Sequence, residues 1–310
     1  MSSENKRRPF FRYIILSAKG FCMGAADVVP GVSGGTMAFI LGIYDELIEA
    51  IKSFNLKSLR LLLTFKIGRM LDHIAWPFLL ALGVGILTAI LSFSRLLSWL
   101  LENKPVFIWS FFFGLIMASV VTVSRRVEMW RPPSRWLCLL LGSVGTYLLV
   151  GLVPLKTPEE PWFLFLCGAI AICAMILPGI SGSFMLVLMG KYQYILAAVN
   201  ERNLFVLAVV SLGACVGIVL FSRLIGWLLK RYHDQMVALL TGLMLGSLRK
   251  VWPWKETAER LYDDSGNVAA VLHSNVFPAQ WTPEVLSALF LALAGFFVVL
   301  LLDWIALRQR

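Results

Sequence analysis

Long apolar runs make up most of the chain, and charged residues interrupt them mainly at their ends. A helix needs about 20 apolar residues to cross a bilayer, and six runs reach or approach this length. They cover residues 75–101, 105–124, 136–155, 204–229, 236–249 and 285–306, and the fifth is the shortest. The pattern therefore predicts six membrane-spanning helices.

Two further apolar stretches, residues 10–51 and 162–199, differ from these runs because each contains Pro-Gly-x-Ser-Gly near its middle. Each is too long for one straight helix, and proline and glycine interrupt it. Irregular backbone at membrane depth is tolerated where protein surrounds it. We therefore expect each stretch to be a re-entrant helical hairpin, which enters and leaves the membrane on the same side.

A duplication relates the two stretches. Pro30–Ile51 aligns with Pro178–Val199 without a gap and shares eight of 22 positions. Phe93–Leu96 and Phe221–Leu224 both read Phe-Ser-Arg-Leu and form a second matching block. The offset between the copies changes from 148 to 128 between the blocks, so the first copy carries about 20 extra residues, which we place in the loop at 52–72. The chain therefore contains an internal repeat of two copies.

The repeat predicts an all-α polytopic membrane protein made of two copies, residues 1–155 and 160–310. Each copy holds one hairpin and three spans, and an odd number of crossings inverts the second copy relative to the first. In inverted repeats the substrate site lies where the copies meet near the membrane midplane. Alternating access is the expected mode of transport.

Composition excludes a water-soluble globular domain, because 59% of the residues are hydrophobic, 15% are charged and the mean hydropathy is +0.79. The net charge of +10 does not indicate nucleic acid, since the basic residues lie at the ends of apolar runs. With the amino terminus inside, the predicted cytoplasmic segments hold 17 Lys and Arg and the predicted outer loops hold seven. Those cytoplasmic segments are 1–12, 52–72, 125–135, 230–234 and 307–310. This asymmetry predicts that both termini are cytoplasmic.

The cysteines lie in apolar segments, without metal-ligand spacing or an obvious pairing pattern. They are Cys22, Cys138, Cys167, Cys173 and Cys215. We interpret them as packing residues within the membrane. The sequence therefore predicts neither a metal site nor a cofactor.

The two Pro-Gly-x-Ser-Gly segments combine residues that suit an anion site. Proline ends the incoming helix, glycine permits backbone conformations that other residues resist, and serine caps the outgoing half-helix. Backbone N–H groups then point into the break, where hydroxyl groups add donors for phosphate oxygens. The alternative is a simple helix kink. The candidate substrate-binding residues are Pro30, Gly31, Ser33, Gly34, Gly35 and Thr36 in the first copy and Pro178, Gly179, Ser181, Gly182 and Ser183 in the second.

Basic residues inside predicted membrane segments are costly and therefore informative; they are Lys19, Arg95, Lys191 and Arg223. Arg95 and Arg223 occupy matching positions of the repeat, and a guanidinium group binds phosphate through paired donors. We therefore add both arginines to the substrate-binding candidates. The alternative is that each side chain reaches the membrane interface near the end of its span. Lys19 and Lys191 lack a basic counterpart and are weaker candidates.

An acidic residue, Asp27, lies three residues before Pro30. Its counterpart in the second copy is Met175, so this carboxylate is present in one copy only. A single titratable group beside an anion site can carry a coupling proton. A salt bridge to Lys19 or to an arginine is the alternative role.

With these residues in view, the sequence closely resembles the PopT-type family of undecaprenyl (polyprenyl) phosphate translocases, formerly a domain of unknown function. The most specific segments are Gly24–Thr36, Gly42–Tyr44 and Ile176–Ser183, and the likeness spans nearly the whole chain. The resemblance implies a flippase of the bacterial inner membrane that returns undecaprenyl phosphate from the outer to the inner leaflet for peptidoglycan and other envelope polymers. No Walker-type motif is present, so a proton or sodium gradient is the expected driving force.

Two other functions remain open on the sequence. An undecaprenyl-pyrophosphate phosphatase has a motif that resembles Pro-Gly-x-Ser-Arg-Ser, but Gly34 and Gly182 stand in the Arg position here. Such a phosphatase also needs a pair of glutamates on its first membrane helix, and Phe10–Met23 contains no acidic residue. We therefore expect no enzyme activity. An anion channel or exchanger is the other alternative, because twin half-helix N-termini also suit chloride. The oligomeric state is open.

Overall fold

The computed structural model describes residues 9–27, 33–152, 157–262 and 268–308. Within these residues, five helices are long and apolar enough to cross a membrane, and a pair of short helices bent by 109° is a sixth candidate. The protein is therefore a multi-pass helical membrane protein.

The elements follow one another as two similar series. The first series is α1 (Pro9–Asp27), α2 (Gly34–Ile40), α3 (Tyr44–Lys52), α4 (Leu56–Leu63), α5 (Ile67–His73), α6 (Trp76–Asn103), α7 (Pro105–Ser124) and α8 (Pro133–Val150). The second is α9 (Pro161–Ile176), α10 (Gly182–Leu188), α11 (Tyr192–Asn200), α12 (Leu204–Arg231), α13 (His233–Val251), β1 (Lys255–Tyr262), β2 (Val268–Asn275) and α14 (Pro283–Arg308). Proline lies in the first turn of α6, α7, α8 and α9, where its missing N–H has no helical partner to lose.

The five apolar spans are α6, α7, α8, α12 and α14, and their ends lie within a few residues of the predicted ones except in α8. The helix α8 ends at Val150 and Gly151 follows as its C-cap, whereas the predicted span continued to 155. Residues 153–156 lie outside the described residues. The predicted span 236–249 corresponds to α13, which is not among the apolar spans. Because α13 packs against α7 and α8, much of its surface faces protein and does not need the apolarity of a lipid-facing helix.

The predicted all-α class is confirmed, and the loop between α13 and α14 adds a small β-hairpin that the prediction did not include. There β1 and β2 pair antiparallel, with Lys255 opposite Asn275. The apolar criterion could not find this hairpin, because β1 carries four charged residues and both strands lie outside the spans. The sequence Asp-Asp-Ser-Gly-Asn at 263–267 favours a turn and was the available signal for a hairpin, although these residues lie outside the described ones. The loop at 52–72 likewise contains two short helices, α4 and α5.

Each Pro-Gly-x-Ser-Gly stretch forms a long helix followed by two short ones. Asp27 near the end of α1 contacts Gly34 at the start of α2, and Lys19 contacts Leu41 at the end of α2. The helix α2 therefore runs back along α1. In the second copy α10 packs on α9 in the same way, and Cys167 contacts Met189 at the position that matches Lys19 and Leu41.

Matching glycines make matching contacts in the two copies. A Cβ atom on Gly85 would lie 1.9 Å from the carbonyl oxygen of Ser17, and one on Gly213 would lie 2.0 Å from that of Phe165. Gly85 and Gly213 are related by the offset of 128, and Ser17 and Phe165 by the offset of 148. The absence of a side chain is thus what lets α6 approach α1, and α12 approach α9.

The two copies also interlock. The helix α14 packs on α7, α8 packs on α13, and α7 and α13 pack on each other. The side chains of Ile116, Leu240 and Met244, which lie on α7 and α13, are at most 1% exposed. The centre of the protein is therefore built from both copies rather than from two separate cores.

We expect Gly85→Ala to lower the free energy of unfolding by about 1–3 kcal/mol, because a backbone oxygen already occupies the position of the new methyl group. Gly83 is the matched control on the same helix, since a Cβ atom there would meet nothing within 4 Å. Gly83→Ala should be neutral or raise stability by up to about 1 kcal/mol. Denaturation of both variants in one detergent would test this, and equal stabilities would contradict the close approach of α6 to α1.

Candidate functional site

The two helix breaks lie against each other. The Ser33 hydroxyl is 3.2 Å from the Met175 carbonyl oxygen and 3.1 Å from that of Leu177, so its single proton can reach either acceptor. The Gly179 amide donates to the Thr36 hydroxyl across 3.0 Å. Polar groups of the first break thus satisfy backbone groups of the second, which a chain reversal within a membrane requires.

Serine caps the outgoing short helix in both copies, as its position predicts. Ser33 is the N-cap of α2 and accepts a hydrogen bond from the Gly35 amide, while Ser181 is the N-cap of α10 and accepts one from the Phe184 amide. Both serines have extended backbone angles, which is usual for an N-cap. The motif serine is therefore an N-cap in both breaks, although it accepts from the second residue beyond itself in the first break and from the third in the second.

The first break already holds a carboxylate. The Gly34 amide donates to Asp27 Oδ1 across 2.6 Å, a short, charge-assisted hydrogen bond. The amide that we expected to point freely into this break therefore has a partner within the chain. The matching position of the second copy is Met175, which cannot play this role.

The second break retains free donors. The amides of Gly182 and Ser183 donate to no group in the described part of the chain, and the Ser183 residue is exposed. The Ser183 hydroxyl lies 2.7 Å from the Ser181 hydroxyl. An anion that approaches this break would find two amides and a hydroxyl pair without displacing an acidic residue.

Backbone conformation explains one of the glycines in the second break. Gly179 has φ of +88°, a region that L-residues rarely adopt. A Cβ atom there would also lie 2.9 Å from the carbonyl oxygen of Leu243 on α13. Pro178 beside it is buried. The counterparts Pro30 and Gly31 lie outside the described residues.

A family model described as undecaprenyl phosphate translocase-like matches residues 23–269, which include the described parts of both breaks. The chain belongs to this family. A protein of Vibrio cholerae named polyprenyl-phosphate transporter is 45% identical over 94% of this chain and 96% of its own length. A Staphylococcus aureus protein of the same name is 30% identical over 76% of this chain and 84% of its own length. No solved structure matches the chain significantly.

The predicted resemblance to translocases of this kind is thereby confirmed.

The two arginine candidates lie on the long helices of this translocase-like chain. Arg95 lies in α6, but its side chain is outside the described part of the structure. Arg223 is exposed on α12 and makes no hydrogen bond or ion pair with a described residue. Both arginines therefore stay predictions, with the interfacial position as the alternative.

Lys19 and Lys191 donate to backbone carbonyl groups near the C-terminal ends of α2 and α10. Lys19 donates to the Leu41 carbonyl across 2.9 Å, at the C-cap of α2. Lys191 is 3% exposed and donates to the Thr157 carbonyl across 2.8 Å, while the Thr157 hydroxyl donates to Met189 at the C-cap of α10. Leu41 and Met189 are matching positions, so different side chains satisfy the same carbonyl group in the two translocase halves.

Sequence reasoning missed a group of cations and rings beside the second break of this translocase-like protein. The Lys250 Nζ atom lies 4.8 Å from the centroid of the Phe184 ring, one residue beyond Ser183. Lys255 Nζ lies 4.2 Å from the centroid of the Trp109 ring and donates to the Lys250 carbonyl across 2.5 Å. The mixed basic and aromatic run Lys250-Val-Trp-Pro-Trp-Lys255 was the available signal.

The described residues contain no group of three or more His, Cys, Asp and Glu side chains that could hold a metal ion. The five cysteines are free thiols, of which Cys167 is buried and Cys215 is exposed. Burial thus differs from one cysteine to the next, and only Cys167 is fully enclosed by protein.

Thr36→Val should lower the free energy of unfolding by about 1–3 kcal/mol, because it leaves the buried Gly179 amide without an acceptor. Thr241→Val is the matched control, since both threonines are 1% exposed. The Thr241 hydroxyl donates to the Val237 carbonyl within its own helix, so its loss leaves no orphaned donor. Denaturation of both variants in detergent measures this difference. Equal losses of stability would show that the hydrogen bond between Thr36 and Gly179 contributes nothing specific.

Proposed function

We propose that this chain is a transporter that returns undecaprenyl phosphate from the outer to the inner leaflet of the bacterial cytoplasmic membrane. The observation that carries this proposal is the match, along nearly the whole chain, to proteins named polyprenyl-phosphate transporter. A phosphate headgroup suits the free amides and hydroxyls of the second break. The prenyl tail stays in lipid beside the protein.

The transport cycle follows from inverted repeats with both termini in the cytoplasm. The matching glycine contacts of the two copies support the repeat, and the excess of Lys and Arg in the predicted inner segments supports the orientation. In this orientation α3 and the start of α13 face the cytoplasm, while the end of α13 and the β-hairpin face outward. Arg95 and Arg223 lie toward opposite faces and meet the headgroup from different leaflets.

Asp27 couples transport to a proton. Its carboxylate occupies the Gly34 amide, so a phosphate at the first break must compete with an anion that is already bound. Two anions at one site repel each other, whereas a protonated Asp27 removes that repulsion. Proton binding and phosphate binding at the first break therefore favour each other, and a proton gradient across the membrane gives transport its direction.

An ion pair closes one face of the protein. The helix α3 packs on α12, where Glu49 Oε1 is 3.0 Å from Lys230 Nζ and Lys52 lies beside Gly226. The positions that match Glu49 and Lys230 are Ala197 and Glu102, which cannot form this pair. In the proposed cycle this arrangement is the state closed at the cytoplasmic face, and the pair breaks when that face opens.

Reconstitution in liposomes tests the function. Liposomes that contain the protein and a labelled polyprenyl phosphate should lose label from the outer leaflet faster than protein-free liposomes. Parallel assays should find no phosphate released from the corresponding pyrophosphate and no chloride exchange. Phosphate release would instead show a phosphatase, chloride flux an anion channel or exchanger, and unchanged flip rates would refute the transporter.

Asp27→Asn should abolish the response of the flip rate to an imposed proton gradient while preserving slow exchange without a gradient. Asparagine keeps an acceptor for the Gly34 amide but cannot titrate. Asp45→Asn is the control, because Asp45 is an exposed carboxylate on α3. A D27N protein that responds to the proton gradient as wild type does would exclude Asp27 as the coupling group, and a response to sodium alone would exclude the proton.

Glu49→Gln should increase the population that is open between α3 and α12. The pair is solvent-exposed and contributes at most about 1 kcal/mol, so the expected shift is up to about fivefold. Distances between spin labels on α3 and α12 would report it. Glu46→Gln is the control, since Glu46 pairs with Arg12 of the same copy at 2.6 Å. Equal distance distributions in the two variants would contradict the proposal that Glu49 holds α3 against α12.

A further inference from the structure

Two lysines meet beside the second break, where α13 ends and β1 begins. The Lys255 ammonium group donates to the carbonyl group of Lys250, and the Lys250 ammonium group lies over the ring of Phe184. Both lysines are half-buried. The second break therefore has two cations at its edge that belong to neither Pro-Gly-x-Ser-Gly segment.

Neither cation is neutralised within the part of the chain that the structure describes. Two other basic groups that are half-buried or buried have a carboxylate partner, Arg135 with Asp234 at 2.9 Å and Lys191 with Glu159 at 3.8 Å, whereas the half-buried Arg249 donates to the Tyr147 carbonyl. Lys250 and Lys255 form no such pair with a described residue. Half-buried cations that repel each other are unfavourable unless an anion joins them.

The surroundings of the pair are aromatic, which suits the boundary between lipid and water. Trp109 lies under Lys255, and Trp252 contacts Phe113 and Trp254 with ring centroids 5.5 and 5.7 Å apart. Tryptophan concentrates at the level of the lipid headgroups. Burial, and to a lesser degree the charge of Lys250, lowers the pKa of Lys255 to about 7. A headgroup anion at this level would restore the charged form.

We infer that Lys250 and Lys255 form the entry site for the phosphate monoester of a lipid headgroup, ahead of the second helix break. This inference rests on the proposed function and names residues outside the repeated motif. Phe184 follows Ser183 directly on α10, so an anion held by Lys250 lies close to the free amides of the break. The match to Lys250 in the first copy is Thr122, so the entry site exists on one face only.

Binding of farnesyl phosphate to the full-length protein in nanodiscs tests the site. Lys250→Gln and Lys255→Gln should each weaken binding by about tenfold or more, since each removes a charge-assisted contact. Lys104→Gln is the matched control, because Lys104 is exposed at the same end of α7 as Trp109. Lys250→Arg and Lys255→Arg should retain binding, which separates loss of charge from loss of folding.

The ligand arms distinguish a lipid headgroup from free phosphate. Farnesol should bind all variants equally weakly, and inorganic phosphate should compete poorly with farnesyl phosphate. Wild-type affinity in both Gln variants would overturn the entry site, and inorganic phosphate that binds as tightly as farnesyl phosphate would overturn its lipid specificity. A wild-type protein that binds but does not flip the lipid would refute the proposed function and leave the site intact.

The pH dependence provides an independent readout. With a pKa of about 7, Lys255 is mostly charged at pH 6 and mostly neutral at pH 8, whereas an arginine stays charged throughout. The phosphate group and Lys250, which faces Lys255 from α13, are the same in both proteins. Wild-type affinity should therefore fall about tenfold relative to Lys255→Arg between pH 6 and pH 8. A constant ratio would show that Lys255 does not contact the anion.

Discussion

A helix that breaks inside a membrane leaves amide and carbonyl groups without partners, and lipid cannot supply any. This constraint determines the centre of the protein. Ser33 and Thr36 of the first break bond backbone groups of the second, and Lys19 and Thr157 bond the carbonyl groups at the far ends of the short helices. The two breaks therefore stabilise each other through these hydrogen bonds.

Matching backbones carry unlike side chains, and the differences fall at the positions that contact the breaks. Asp27 fills the first break, whereas its counterpart Met175 leaves the second break with free amides. Lys250 borders the second break, and its counterpart Thr122 is a buried neutral residue. The duplication thus provides two similar helix breaks, of which one has an acidic residue beside it and the other a basic residue.

The sequence predicted the contacts between neighbouring residues but not those between residues far apart along the chain. The caps at Ser33 and Ser181 and the glycine at 179 follow from neighbouring residues, so their roles could be inferred from the motif. The joint between Thr36 and Gly179 spans 143 residues and required the fold. Lys255 reaches its position through a charged β-hairpin, which hydropathy cannot detect. Lys250 looked like an ordinary loop lysine because the burial of the end of α13 depends on packing.

An asymmetric protein does not by itself give transport a direction. At the proposed entry site, tight capture by Lys250 and Lys255 would speed loading from one leaflet. The same contacts would slow release when the cycle runs backward, so they would leave the equilibrium between leaflets unchanged. Direction requires a second species that is bound with the lipid and held away from equilibrium. Asp27 is the described carboxylate that touches a break, and the Gly34 amide to which it is bonded lies where phosphate would otherwise bind. In the proposed cycle, coupling therefore belongs at the first break, while the basic edge of the second break would set only how fast one leaflet is sampled.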